Sequence, residues 1–184
     1  MSSTSTIFTP FSEEELIPKE EKLEVVKKGK TFSIGVPKET CLSEKRTCLI
    51  PDAVQILVNN GHKVIIESGA GEGSHFSDLL YSEAGAEITN DPKVAFSQDL
   101  VLKINPPTEE EIEYLRPMTY LISALQINLR DKDYFIKLAA KKVNAIAFEF
   151  IMDEYKQLSL VRLIGEIAGT VSILYASELL AMSN

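Results

Sequence analysis

The sequence predicts an α/β fold, a Rossmann-like or flavodoxin-like open and mainly parallel sheet with helices on both faces and a long C-terminal helix. From Thr31 onward, short apolar runs of β type alternate with helical patterns, which is typical of parallel strands joined by crossover helices. The chain has 184 residues, of which 45% are hydrophobic, enough for the core of one globular domain.

Residues 1–30 are predicted to form an N-terminal extension packed over the domain. Residues 12–27 are rich in charge and carry scattered apolar positions, and Pro18 interrupts any long helix there. Five strands are then expected, at residues 32–36, 62–67, 100–104, 119–123 and 143–148.

The helices between these strands carry start and stop signals. Pro51 suits a first helical turn, and residues 59–61, Asn-Asn-Gly, tolerate the left-handed conformation that ends a helix. Thr108 and Glu111 have the spacing of a capping box, and Asp131 is expected to cap the helix that follows it.

The last helix, predicted at residues 166–182, is apolar on most of its circumference. A helix of this kind needs neighbours on several sides. We therefore expect that it packs in an oligomer, or that the chain is the front part of a longer protein.

Composition excludes several kinds of partner. The net charge of −8 and the lack of clustered cations argue against nucleic acid and against an anionic membrane surface. Cytoplasmic location is expected, with Cys41 and Cys48 as free thiols. His62 and His75 have no partner at metal-ligand spacing, so no metal site is predicted.

A glycine-rich turn follows the second strand and approaches a dinucleotide fingerprint. The pattern G-x-G-x-x-G starting at Gly69 would need glycine where Ser74 stands, and Glu72 places a carboxylate where a pyrophosphate would approach. The turn is therefore interpreted as a close approach between backbones, and no cofactor-binding residue is predicted in this chain.

Polar side chains follow three of the predicted strands. Arg46 lies in the loop after the first strand, Lys103 and Asn105 follow the strand at 100–104, and Gln126 follows the strand at 119–123. The carboxyl ends of parallel strands meet at one edge of the sheet, where ligands bind. A guanidinium can grip a carboxylate with two hydrogen bonds, so the sequence predicts a site for a small polar anion.

Structural roles remain open for the same residues. Arg46 could pair with Glu39 or Glu44, and Lys103 could be a strand-end lysine that extends its ammonium to solvent. Asn105 and Gln126 could be ordinary hydrogen-bonding residues of loops.

The sequence resembles the N-terminal domain of the alanine dehydrogenase and pyridine nucleotide transhydrogenase family from about residue 32 to the end of the chain. The shared stretches are Gly35-Val36-Pro37-Lys38-Glu39-Thr40, Lys45-Arg46 leading to Pro51, Gly61-His62-Lys63-Val64, Glu67-Ser68-Gly69-Ala70-Gly71-Glu72-Gly73, Ala84-Gly85-Ala86, Leu102-Lys103-Ile104-Asn105-Pro106-Pro107 and Glu166-Ile167-Ala168-Gly169.

The resemblance implies a division of labour between two domains. Residues 31–165 would form the substrate-side domain, and residues 166–184 an inter-domain helix leading to an NAD-binding domain that the chain does not include. Arg46 falls on the family's substrate-carboxylate arginine. A small 2-oxo or amino acid would be the substrate and NAD the cofactor, in a homo-oligomer.

Two positions depart from the alanine dehydrogenases, which have lysine where Asn105 stands and a catalytic histidine where Gln126 stands. Transhydrogenases share the Lys103-x-Asn105-x-Pro107 pattern but carry a Gln-x-x-Asp loop where Lys156 and Ser159 stand here. The leading hypothesis is the substrate-binding domain of an L-alanine dehydrogenase, with Arg46 and Lys103 binding substrate and Asn105 and Gln126 as the catalytic-site residues. The alternatives are the first domain of a transhydrogenase alpha subunit and a non-catalytic domain that binds an anion or serves assembly.

Overall fold

A computed structural model describes residues 30–182. Six strands form one sheet: β1 (Ser33–Val36), β2 (Lys63–Glu67), β3 (Glu87–Thr89), β4 (Leu100–Leu102), β5 (Tyr120–Ser123) and β6 (Asn144–Ala147). Their order is β3-β2-β1-β4-β5-β6, and all neighbouring pairs are parallel. The predicted α/β class and parallel sheet are confirmed. The N-terminal extension lies outside the described residues, apart from Lys30.

Within residues 30–182, six α-helices accompany the sheet. They are α1 (Pro51–Asn59), α2 (Asp78–Glu83), α3 (Pro92–Phe96), α4 (Glu109–Tyr114), α5 (Lys132–Ala140) and α6 (Ser159–Met182). The sequence did not predict β3, α2 or α3, which have only three, six and five residues. β4 and α4 are equally short, but β4 lies within the longer apolar run 100–104 and α4 begins with a capping box, and the missed elements have neither signal.

The helix signals were mostly correct. Pro51 occupies the first turn of α1, and Gly61 has a φ of +87° just beyond the end of that helix. Thr108 and Glu111 form both hydrogen bonds of a capping box at the start of α4. Asp131 stands at the N-cap position of α5, but its side chain forms no capping hydrogen bond.

Two apolar clusters cover the faces of the sheet. One contains Val101 of β4 and Leu121 of β5 with residues of α3, α4 and α5. The other contains residues of β1 and β2 with Val54 of α1 and Tyr81 of α2. Leu100 and Leu102 pack against the second cluster, on the opposite side of β4 from Val101, because successive strand residues point to opposite faces.

Helix α6 begins at Ser159, earlier than the predicted start at residue 166. None of its described residues is buried, and its apolar side chains are exposed, among them Ile167, Val171, Ile173, Leu174, Tyr175 and Leu179. Its length and its mean hydropathy of 1.4 also meet the compositional criteria for a membrane-crossing helix. Core helices of other proteins meet the same length and composition criteria.

The glycine-rich turn after β2 brings backbones together, as predicted. A Cβ atom on Gly73 would lie 2.7 Å from the carbonyl oxygen of Lys45. The hydroxyl of the next residue, Ser74, donates a hydrogen bond of 2.7 Å to that same oxygen. The turn therefore holds the middle of the loop that follows β1, where Arg46 lies.

We predict that Gly73→Ala lowers the free energy of unfolding by about 1 to 3 kcal/mol, because a methyl group has no space beside the Lys45 backbone. The measurement is urea denaturation. Gly169→Ala is the matched control, since nothing lies within 4 Å of the Cβ position in the exposed helix α6. The control is expected to gain about 0.5 to 1 kcal/mol. Equal effects of the two substitutions would contradict the close approach.

Candidate functional site

The carboxyl ends of four adjacent strands form the candidate site. Residues 37–50 follow β1, Lys103 and Asn105 follow β4, Gln126 follows β5 and Glu149 follows β6. Because β1, β4, β5 and β6 are neighbours in a parallel sheet, these segments leave the sheet at the same edge.

Glu39 joins the loop after β1 to the exit of β4. One carboxylate oxygen accepts a hydrogen bond of 2.6 Å from the backbone N–H of Ile104. The other oxygen accepts a hydrogen bond of 2.8 Å from Nζ of Lys103 and one of 3.4 Å from the backbone N–H of Asn105. A single side chain thus fixes two segments that are more than 60 residues apart in sequence.

Lys103 is buried, with only 1% of its side chain exposed. Its ammonium lies 2.8 Å from Glu39 and 3.6 Å from Glu111, whose side chains are both 8% exposed. Glu111 also accepts 2.7 Å from the backbone N–H of Thr108 in the capping box. The alternative in which Lys103 extends toward solvent is therefore wrong, and its charge is taken up by two carboxylates.

Arg46 forms a two-pronged ion pair with Glu44. Its Nε and one terminal nitrogen donate to the two carboxylate oxygens at 2.7 and 2.6 Å. The side-chain amide of Asn105 donates a hydrogen bond of 3.3 Å to the same carboxylate. The pairing with Glu44 that the sequence left open is present, and it brings Arg46 and Asn105 to one group.

The surroundings shift several pKa values. Hydrogen bonds from Arg46 hold the pKa of Glu44 below its usual range, so the carboxylate is ionised at neutral pH. Burial raises the pKa of Cys48 to about 12, which keeps this thiol protonated. Burial likewise raises the pKa of Glu67, which accepts 2.8 Å from the backbone N–H of Lys38.

Gln126 contacts Glu149 at the end of β6 rather than Arg46, Lys103 or Asn105. Its backbone is left-handed, with φ at 51°, and its N–H donates 2.8 Å to Glu149. Glu149 also accepts 3.2 Å from the N–H of Leu125. Within residues 30–182 no hydrogen bond joins the side chain of Gln126 to Arg46, Lys103 or Asn105.

Two cavities meet at Arg46. One of about 330 Å³ is lined by the loop after β1 and by the glycine turn, including Lys38, Glu44 and Glu72. The other, of about 500 Å³, is mainly apolar and extends from Cys48 and Ile104 to Leu160 and Ile164 of α6. Gln126 borders neither of them.

The glycine-rich turn after β2 does not fit the phosphates of a dinucleotide. Phe76 and Tyr81 already approach Gly71, and the backbone of Lys45 already approaches Gly73, so the turn offers no open cradle. Glu72 lies at this turn with its side chain 72% exposed and adds negative charge. Among residues 30–182 no group of three potential metal ligands occurs either.

The chain belongs to the family described as alanine dehydrogenase/PNT, N-terminal domain, whose model matches residues 35–168. The resemblance stated from the sequence is thereby confirmed.

Named relatives include alanine dehydrogenases. Those of Staphylococcus saprophyticus and Bacillus subtilis are each 37% identical over 147 residues, which cover 80% of this chain. The match covers 39% and 38% of the respective relatives, so the chain spans well under half of their length.

Solved structures agree with this assignment. An L-alanine dehydrogenase superposes with a TM-score of 0.74 at 33% identity, covering 78% of this chain and 39% of that protein. A transhydrogenase from Sinorhizobium meliloti superposes with a TM-score of 0.59 at 27% identity, covering 66% of this chain and 36% of that one.

We predict that Lys103→Met lowers the free energy of unfolding by about 3 to 5 kcal/mol, because Glu39 and Glu111 would remain buried without their cation. Chemical denaturation at neutral pH measures the loss. Lys137→Met is the matched control, since Lys137 pairs with Glu109 at 2.6 Å on the surface. That pair is worth under about 1 kcal/mol. A loss for Lys103→Met no larger than the control would contradict a structural role for the buried lysine.

Proposed function

We propose that the chain is the substrate-binding N-terminal domain of an NAD-dependent dehydrogenase that deaminates L-alanine, or another small amino acid, to a 2-oxo acid and ammonia. The observation that carries the proposal is the guanidinium of Arg46 at the carboxyl edge of a parallel sheet, between two cavities. The named relatives support the choice of an amino acid as substrate.

The proposed roles follow from chemistry and position. Arg46 binds the substrate carboxylate with its two-pronged fork. Asn105, held beside Arg46 through Glu44, donates to the carbonyl or accepts from the amine. Lys103 contributes chiefly by fixing the exit of β4, because two carboxylates engage its ammonium.

Gln126 is proposed to orient the amine or carbonyl from the end of β5. The side-chain amides of Gln126 and Asn105 cannot take up a proton at neutral pH. A general base therefore has to come from another residue.

The organisation of the protein is also part of the proposal. Residues 31–165 are the substrate-side domain. Residues 166–184, of which 166–182 lie in α6, lead toward an NAD-binding domain. The cofactor would bind mainly to that domain, since the glycine turn described above does not fit its phosphates. We further propose a cytoplasmic homo-oligomer.

A transhydrogenase role is the second candidate. Asn105 matches the transhydrogenase pattern rather than the lysine of alanine dehydrogenases, and a transhydrogenase structure superposes on this chain. A domain with that role would bind neither pyruvate nor L-alanine, so the binding experiment that tests the first proposal also separates the two.

We predict that Arg46→Ala weakens binding of pyruvate and L-alanine by about 2 to 5 kcal/mol, because the carboxylate loses a charge-assisted pair. Arg46→Lys is expected to recover only part of the loss, since an ammonium cannot reproduce the fork. Calorimetric titration of the protein with each ligand measures the effect.

Arg116→Ala is the matched control for this experiment. Arg116 is 54% exposed, as Arg46 is 55%, and it pairs with Asp99 near the amino end of β4, away from the site. The control is expected to bind like the wild type. Unchanged affinity in Arg46→Ala would remove Arg46 from the site.

We predict that the protein self-associates through α6, because monomers rarely expose an apolar surface of this extent. Leu174→Glu, which places a charge among the exposed side chains of α6, is expected to shift the equilibrium toward the monomer in sedimentation experiments. Leu79→Glu, at an equally exposed leucine of α2, is the control and should leave association unchanged. A compact wild-type monomer would contradict the prediction.

A further inference from the structure

The carboxylate of Glu44 contacts two of the groups that are proposed to hold substrate. It receives the fork of Arg46 at 2.7 and 2.6 Å, and the side-chain amide of Asn105 at 3.3 Å. A fourth donor, the backbone N–H of Arg46, lies 3.1 Å away. Four donors thus converge on a single planar group with two oxygens.

The burial of the pair differs between its two partners. The side chain of Glu44 is 9% exposed, whereas that of Arg46 is 55% exposed. Glu44 therefore lies on the inner side of the guanidinium, toward Asn105 and the exit of β4. In an ordinary surface ion pair, both side chains are exposed to solvent.

We propose that Glu44 is a specificity-determining residue of the substrate site. Its carboxylate is an internal ligand of the carboxylate subsite, and the carboxylate of the substrate must displace it from Arg46. This inference rests on the proposed function, in which Arg46 binds the substrate carboxylate.

Displacement sets requirements on the ligand. A competing group has to offer two coplanar oxygens to the fork, because a single-point anion would replace two short hydrogen bonds with one. It also has to satisfy the amide of Asn105, which loses its partner when Glu44 leaves. A 2-oxo carboxylate meets both requirements, because its carbonyl oxygen can accept from the Asn105 amide, whereas chloride and other spherical anions lack the two coplanar oxygens.

Glu44→Gln tests the proposal directly. The amide keeps the size of the side chain but removes its charge, so it competes less strongly for Arg46. We expect pyruvate to bind about tenfold more tightly or better, which corresponds to 1.4 kcal/mol, in calorimetric titrations of the protein. Glu113→Gln is the matched control, because Glu113 pairs with Lys141 at 2.6 Å on α4, outside both cavities.

The double variant Glu44→Gln, Arg46→Ala shows whether any gain depends on Arg46. Loss of the gain in the double variant supports the proposal. Wild-type binding that depends on Arg46, combined with unchanged or weaker binding by Glu44→Gln, overturns the role of Glu44 and leaves the proposed function intact. Failure of wild type and Glu44→Gln alike to bind pyruvate and L-alanine overturns the proposed function and this inference together.

If Glu44→Gln does not fold, a measurement on the wild type still tests the proposal. Carboxyl carbon NMR reports the pKa of Glu44, which Arg46 holds below the usual range in the free protein. Saturating pyruvate should raise this pKa toward its ordinary value, because Arg46 would then face the ligand. Glu72, which borders the same cavity, serves as the reference carboxylate. A pKa of Glu44 that does not move while pyruvate binds overturns the proposal.

Discussion

The buried carboxylate of Glu39 is the interaction on which the arrangement of the candidate site depends. It binds the ammonium of Lys103 and the backbone N–H groups of Ile104 and Asn105, and so joins the first loop to the exit of β4. Strand pairing of β1 with β4 stops at Gly35 and Val101, so the backbone ladder alone does not hold the segments beyond. Because Asn105 is fixed by this contact, its side chain meets the carboxylate that Arg46 also binds.

Charge balance at this edge of the sheet is nearly complete. Lys103 has two buried carboxylates and Arg46 has one, while the exposed Lys38 has Glu72 at 3.8 Å. Buried charges are tolerated only when they are paired and hydrogen-bonded, so each cation inside the edge requires an acidic neighbour. Glu44 therefore occupies the fork of Arg46, and under the proposed function an anionic ligand exchanges with this carboxylate.

The apolar core and the candidate site lie at different parts of the sheet. The two apolar clusters lie on the faces of the sheet, whereas its carboxyl edge carries the paired charges and the mainly apolar cavity beside Arg46. Helix α6 takes no part in either cluster, although its first turns border the apolar cavity beside Arg46 through Leu160 and Ile164. A surface that meets the first turns of α6 would therefore also lie close to the candidate site.

The sequence by itself determined the class of the fold, five of the six strands, the capped start of α4 and the exposed apolar last helix. These features depend on local spacing, on capping hydrogen bonds within three residues and on apolar periodicity, all of which can be read along the chain. It also predicted that Arg46, Lys103, Asn105 and Gln126 would leave the sheet at one edge. Tertiary structure decided the rest: β3, α2 and α3 lack the extended apolar run or the capping box that marked β4 and α4, and Glu39 and Glu44 reach partners 61 to 66 residues away. Strand order and side-chain burial decide which carboxylate pairs with which cation. Local spacing in the sequence encodes neither of them.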